Sequence, residues 1–469
     1  MILNKSILSA CIAGVILSGC TMLHSDYQRP ELDEYVFVNG AVGGETSGTV
    51  AEASGTASEN EFTVTDSYWV RFDDEKLTAL IEEALANNND YYQALINVRK
   101  AMVQADITDA DLIPDLNASL GSGISKPLKT GVSNRSSDSS LKVSYELDLF
   151  GRLSAESKAA SYNVEAKTFD ARAARLSVSA SVASVYWQIV YYKDAIRLSE
   201  NNLQDSEKTY SIMKTRFDSG YISELELLQA KTDLIEVRTT LAEQNNNLKN
   251  SISAMNMLLN KVPTAEVVTA ESLADLKVPA VRAGLGSDLL RIRPDVASAE
   301  ASVKSALASK DAARLDMYPR FSLTAGLSAG SSSELVQFFE NPVASILANL
   351  ALPFINYYKN SLQIDLQELN RDSAEMNFVT TYYKALGEVY QALNNIENDN
   401  IQLSNSREKL ELNKKTETLY RDRYEAGSVS LKDYLESRKS RRATDLAVCK
   451  SMQNSLNDTV VFAKALGGL

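Results

Sequence analysis

The sequence predicts a mainly α-helical chain with a membrane β-barrel portion, the whole pattern written twice. Three observations carry this. A helix-to-helix turn occurs in two copies, Arg216-Phe217-Asp218-Ser219-Gly220-Tyr221-Ile222-Ser223-Glu224 and Arg423-Tyr424-Glu425-Ala426-Gly427-Ser428-Val429-Ser430-Leu431, 207 residues apart. The run from Arg152 to Asp218 contains neither Pro nor Gly and reads as one helix of roughly 100 Å at 1.5 Å per residue. Leu141 to Leu149 alternates apolar and polar without a fault over nine positions, the period of a strand with two unlike faces. A motif recurring at a fixed offset marks an internal duplication, and it sets the order in which the rest is read.

The chain opens on a targeting signal over residues 1–19. Lys5 supplies the positive start, Ile7 to Leu17 the apolar stretch, and Leu17-Ser18-Gly19-Cys20 the end. That ending resembles the bacterial lipoprotein box, which makes Cys20 the lipidated first residue of the mature chain. Thr21 rather than Asp after it implies sorting to the outer membrane. Residues 20–66 read as a flexible tether, because Gly40 to Asn60 is Gly, Ser, Thr, Ala and Glu with little to bury. The only His, His24, lies there. Cys11 leaves with the signal, so Cys449 remains as a packing thiol.

The first repeat, 67–285, begins at Tyr68-Trp69-Val70-Arg71-Phe72. A helix with Leu77, Leu80, Ile81, Ala84 and Leu85 on one face follows, broken and recapped at Asn87-Asn88-Asn89-Asp90. Strands come next at about 113–123 and 139–150. In the second, Leu141, Val143, Tyr145, Leu147 and Leu149 face one way and Lys142, Ser144, Glu146 and Asp148 the other. A soluble sheet with one wet face gives this pattern, and so does a barrel with lipid outside and a polar lumen. A long helix pair fills 151–260. Gly suits the left-handed close of the first helix, and Ser223 offers an oxygen to the next. Leu227, Leu234, Leu241, Leu248 and Met255 recur every seven residues as a coiled-coil seam, with the partly polar Lys231, Arg238 and Asn245 as companion row.

The second repeat, 286–469, restates this. Pro294-Asp295-Val296 opens a helix as Asn89-Asp90-Tyr91 does 205 residues earlier, and Pro319-Arg320-Phe321 repeats Pro114-Asp115-Leu116 at the same offset. Strands are expected at about 319–330 and 343–355, and a long helix pair over 358–466. Four strands cannot close a membrane barrel, since bacterial barrels have at least about eight. A cyclic homo-oligomer supplies the others.

Composition narrows the function. A net charge of -13 argues against a nucleic-acid surface. One His in the tail and no phosphate-binding Gly loop leave no enzyme, cofactor or metal site to propose.

With Trp69 to Leu85, Leu147-Asp148-Leu149-Phe150-Gly151-Arg152, Arg293-Pro294-Asp295, both Gly-centred turns and the lipobox in view, the chain resembles the TolC family of outer-membrane factors. The likeness is to its lipoprotein branch (CusC/OprM-like, NodT-type), which serves RND tripartite efflux systems, and covers about Tyr68 to Gly468. It implies a homotrimer with a twelve-strand barrel, a twelve-helix tunnel and an equatorial mixed domain. It implies as partners outer-membrane lipid, a periplasmic adaptor and an inner-membrane RND-type transporter that pumps drugs or other small toxic compounds. It also implies a periplasmic mouth at the turns around Gly220 and Gly427, where the adaptor docks. The family's acidic gate positions match Asp433 and Glu436, and its latch positions match Tyr424 and Glu226. A family Arg two residues after the second Gly is Val429 here, and Arg421 and Arg423 are the basic residues near enough to replace it. A secretion duct for proteins or peptides, and a pore-free lipoprotein scaffold, are the alternative readings; the alternating strands count against the scaffold.

Overall fold

The computed structural model describes residues 25–30, 32, 36–38, 41–43, 68–126, 133–279, 285–331 and 343–468. The signal segment, Cys20, His24 and most of the expected tether lie outside them. In chain order the first elements are β1 (Val36–Val38), β2 (Ala41–Gly43), a 3-10 turn at Tyr68–Phe72, α1 (Glu75–Asn87), α2 (Asn89–Ala110), β3 (Asp115–Ser125) and β4 (Asn134–Leu147). Then come α3 (Arg152–Asp218), α4 (Glu224–Leu258), β5 (Leu285–Gly286), α5 (Pro294–Leu315), β6 (Arg320–Ser331), β7 (Val343–Ala351), α6 (Tyr357–Glu425) and α7 (Leu431–Ala465). Among the described residues no helix is long and apolar enough to cross a membrane.

Two compact units take pieces of both sequence repeats. The first comprises Met1–Leu32, Leu95–Asp170 and Ala297–Thr381; the second, Asp33–Ala94, Ala171–Val296 and Tyr382–Leu469.

The first unit holds a four-stranded antiparallel sheet in the order β3-β4-β6-β7. Its register sorts the side chains, because directly opposed residues share a face. One transverse row is Leu116, Val143, Ala325 and Ile346; another is Ala118, Leu141, Leu327 and Ala344. On the opposite face Asn117, Lys142, Gly326 and Ser345 form a row, as do Glu146, Ser322 and Asn349. Hydroxyl pairs tie the polar face, Ser119 to Ser140 at 2.8 Å and Ser144 to Thr324 at 3.4 Å. The apolar face is left exposed, with Leu116, Val143, Leu327, Ile346 and Leu350 among its residues.

Asp148 departs from expectation. β4 stops at Leu147, and the Asp148 carboxylate caps α3 instead, accepting from Leu153 N at 3.1 Å and from Ser154 N and Oγ at 2.8 and 2.6 Å. Gly151, at φ 79°, makes the turn between them. β4 also starts earlier than expected, in the polar run Asn134 to Ser140, where no alternation signals a strand. The hairpins differ in length: Asp115 opposes Ser144, 29 positions on, and Arg320 opposes Ala351, 31 positions on. That difference accounts for the step in the repeat offset from 205 to 207.

The start of the expected tether is packed in this unit. Ser25 donates to Asp311 of α5 through its N at 2.7 Å and Oγ at 2.6 Å, and Arg29 pairs with Glu300 at 3.1 Å. The low apolar content that suggested a tether lies further along, over Gly40 to Asn60.

The second unit is built on a core of Tyr68, Trp69, Phe72, Leu77, Ile81, Tyr186, Trp187, Met255, Leu456 and Val460. Asp74 starts α1 by accepting from Lys76 N at 2.9 Å and Leu77 N at 3.1 Å, while its other oxygen takes the Tyr186 hydroxyl proton at 2.5 Å. Asn88 breaks the helix at ψ 125° and caps α2 through Asp90 N at 3.0 Å and Tyr91 N at 3.1 Å. Arg293, nearly buried, joins three helices: it donates to Ala465 O at 2.8 Å, to Glu388 at 2.7 Å and to Asp295 at 2.7 Å. Along α4 the companion of the leucine row is Ala230, Val237, Gln244 and Ser251, one position before the row expected; Lys231, Arg238 and Asn245 are exposed. Small residues there let the helices approach closely, which is why the stripe looked too narrow in the sequence. The residues at 36–38, 41–43 and 285–286 form a small antiparallel sheet in the order β2-β1-β5.

Candidate channel mouth and the polar layer behind it

Both Gly-centred turns close in the same way. Gly220 and Gly427 adopt φ 77° and 71°, the left-handed region that side chains disfavour. Tyr221 N donates to Arg216 O at 2.8 Å and Gly220 N to Phe217 O at 2.8 Å; Ser428 N reaches Arg423 O at 2.9 Å and Gly427 N reaches Tyr424 O at 2.9 Å. These are paired Schellman bonds, which satisfy the last carbonyls of α3 and α6.

Each following helix then begins with a capping box. Glu226 accepts from Ser223 N at 2.9 Å and Oγ at 3.1 Å, and Asp433 accepts from Ser430 N at 3.2 Å and Oγ at 2.6 Å. The expected latch acid and the expected gate acid thus occupy one and the same position of the repeat, 207 residues apart. The Ser430 hydrogen bonds hold the Asp433 carboxyl below its ordinary value, so it stays ionised. Glu436 lies one turn on, and lines a groove of about 330 Å³ with Leu225, Leu228, Lys432, Leu435 and Lys439.

Tyr424 packs on the tip cluster of Met213, Ala230, Leu431 and Leu435. Its hydroxyl donates to Met213 Sδ at 3.4 Å, and its ring stacks on Tyr434 at 5.9 Å with planes 11° apart. Burial raises its hydroxyl pKa, against the pull of Arg216. The Glu226 carboxylate is engaged by Ser223 rather than by the Tyr424 hydroxyl. Arg421 pairs with its own neighbour Asp422 at 3.2 Å.

Sequence reasoning missed a layer of buried charge behind these tips. Arg442 of α7 pairs with Asp233 of α4 at 2.8 Å, both side chains only 10% exposed, and Ser206 of α3 bridges them, accepting from Arg442 at 2.7 Å and donating to Asp233 at 2.8 Å. Arg441 engages Glu417 of α6, Asp445 at 2.5 Å and Asn202 at 3.1 Å. Arg438, 3% exposed, donates to Thr209 at 2.9 Å under the Tyr434 ring. Burial and then the neighbouring Arg442 lower the Arg438 pKa. The signal was available: Arg438-Lys439-Ser440-Arg441-Arg442 is a dense basic run.

One unit carries an antiparallel sheet with an apolar and a polar face, and the other long helices joined by capped acidic turns, features that suit a channel-forming membrane protein. The sequence matches the family described as Outer membrane efflux protein over residues 80–261 and 285–468, and the chain belongs to that family. It is 30% identical to the cation efflux system protein CusC of Escherichia coli (strain K12), over 98% of this chain and 99% of that one. It is 28% identical to the pyoverdine export outer membrane protein OpmQ of Pseudomonas aeruginosa, over 86% of this chain and 87% of that one. The fold matches the open state of the Neisseria gonorrhoeae MtrE outer membrane channel with a TM-score of 0.82 and 26% identity, covering 96% and 98% of the two chains. The protein is an efflux duct of the outer membrane.

Proposed function

We propose that three copies close the sheet into one twelve-stranded barrel, and that the resulting passive duct carries small toxic compounds delivered by an RND-type inner-membrane transporter through a periplasmic adaptor. The observation that carries this reading is the sheet itself. Among the described residues its outer strands β3 and β7 are each paired along one edge only, and they run antiparallel to each other. The free β7 edge of one copy therefore fits the free β3 edge of the next, and closure removes the exposed edges. The exposed apolar face then meets lipid, and Lys142, Ser144 and Glu146 face the lumen.

Cys20 carries the lipid anchor in this reading. The turns at Gly220 and Gly427 form the periplasmic mouth, with the groove beside Glu436 as adaptor-docking surface. Asp433 and Glu436 each form a ring of three carboxylates that draws cations. Tyr424 closes the mouth through its stack on Tyr434. The relatives' names specify different cargoes, cations for CusC and pyoverdine for OpmQ, which favours a duct whose selectivity is set by the transporter.

Conductance in a planar bilayer tests the mouth. Wild type should pass small cation-selective currents, and Asp433→Asn/Glu436→Gln should pass currents with that selectivity lost. Unchanged selectivity in the double variant would move the constriction elsewhere.

A further inference from the structure

Away from the tips, α6 and α7 meet at two carboxylates. Asp399 of α6 is 7% exposed, and the half-buried Asp458 of α7 acts on it as a like charge. Asp399 Oδ2 is buried with no donor in reach. The neighbouring polar groups are committed elsewhere: Asn457 accepts from Ser184 of α3 at 2.5 Å, and Thr459 donates to Ser455 O at 2.8 Å. Glu397, the nearest acid on α6, is exposed. From α7 the charged group acting on Asp399 is Asp458; from α3, which reaches the adjacent Asn457, no charged group among the described residues acts on it. Among the described residues, no set of three His, Cys, Asp or Glu is placed to hold a metal ion.

A buried carboxylate beside a like charge, with no compensating positive charge acting on it, is driven towards its protonated form. An ionised carboxylate only accepts, so protonation gives Asp399 a donor with which to reach the neighbouring Asp458 carboxylate. We propose that Asp399 and Asp458 form a proton-binding site, one proton shared between them, which fastens α6 to α7 when occupied and weakens that contact when empty. Burial first, then the charge and hydrogen bond of Asp458, push the Asp399 carboxyl up to about 6. An unfolded Asp titrates near 3.9, so between about 4 and 6 the native chain holds a proton that the unfolded chain has lost. The contribution to stability is complete below about pH 4 and disappears as pH rises through about 6. Two pKa units correspond to about a hundredfold loss in the folding constant by pH 7.

The test uses the full-length protein in detergent. In infrared difference spectra between pH 5 and pH 7.5, wild type should lose a protonated-carboxyl band with a midpoint near pH 6. Asp399→Asn should lack that band. Asp458→Asn, which removes the like charge, should keep it with a lower midpoint. The thermal midpoint should fall with rising pH in wild type and fall less in Asp399→Asn, whose amide imitates the protonated acid. Equal pH responses in wild type and Asp399→Asn, or failure of Asp399→Asn to fold, would overturn the proposal. Recovery of the wild-type midpoint at pH 7.5 by calcium or magnesium, absent in Asp399→Asn, would overturn it in favour of a divalent-cation site.

Discussion

At the scale of single residues, the tips distinguish side chains that tune a contact from those that hold it. The Tyr424 hydroxyl donates to Met213 Sδ at 3.4 Å and feels Arg216, so Tyr424→Phe keeps the stacked ring and gives up only these hydroxyl contacts. Arg442 answers a buried carboxylate, and truncating it leaves Asp233 charged and unpaired, a loss of about 3–5 kcal/mol. Arg442→Met should therefore lower the thermal midpoint and raise leak of bulky antibiotics well beyond Tyr424→Phe, read by thermal melts and drug susceptibility side by side. Equal effects would place the latch at the tyrosine. The sequence showed Tyr424 through a resemblance, but not Arg442, because helix position alone does not say which polar face is covered by another helix.

At the scale of elements, each turn is held by its own neighbours in sequence, and that local character made it legible. Schellman glycines and capping boxes are contacts across three to five residues, so a single chain reveals them. The strand boundaries were less legible. Alternation marks β4 from Leu141 onward, but its first half is polar and pairs across to β6 nearly two hundred residues away, as in Ser137 with Ser331. No local pattern encodes such a pairing. The cap also gives a direct expectation: Ser430→Ala removes the acceptor for Asp433 N and should cost about 1 kcal/mol. Ser223→Ala should cost the same, since the boxes are alike. Amide exchange over the first turns of α4 and α7 would read both losses, and a change in only one would mean that tertiary contacts carry the other.

At the scale of the whole molecule, the open edges of the sheet and the packed N-terminal segment bear on assembly. Ser25, five residues after Cys20, is held on Asp311. Native mass spectrometry of detergent-extracted protein should show three copies, each carrying lipid, and Cys20→Ser should give three copies at the unlipidated mass. Monomers in wild type would refute closure across β3 and β7, and an unshifted mass in the variant would refute the anchor. Because the compact units interleave both repeats, each copy always brings one of each. Fusing two ancestral halves into one chain therefore lowers the symmetry of the proposed assembly from six equal parts to three pairs. Gln229 and Glu436 stand at equivalent places in the two halves, and one carries a charge that the other lacks. In the proposed assembly six crowded acids at that level become three, which halves the charge that draws cations and cuts their mutual repulsion by more than half.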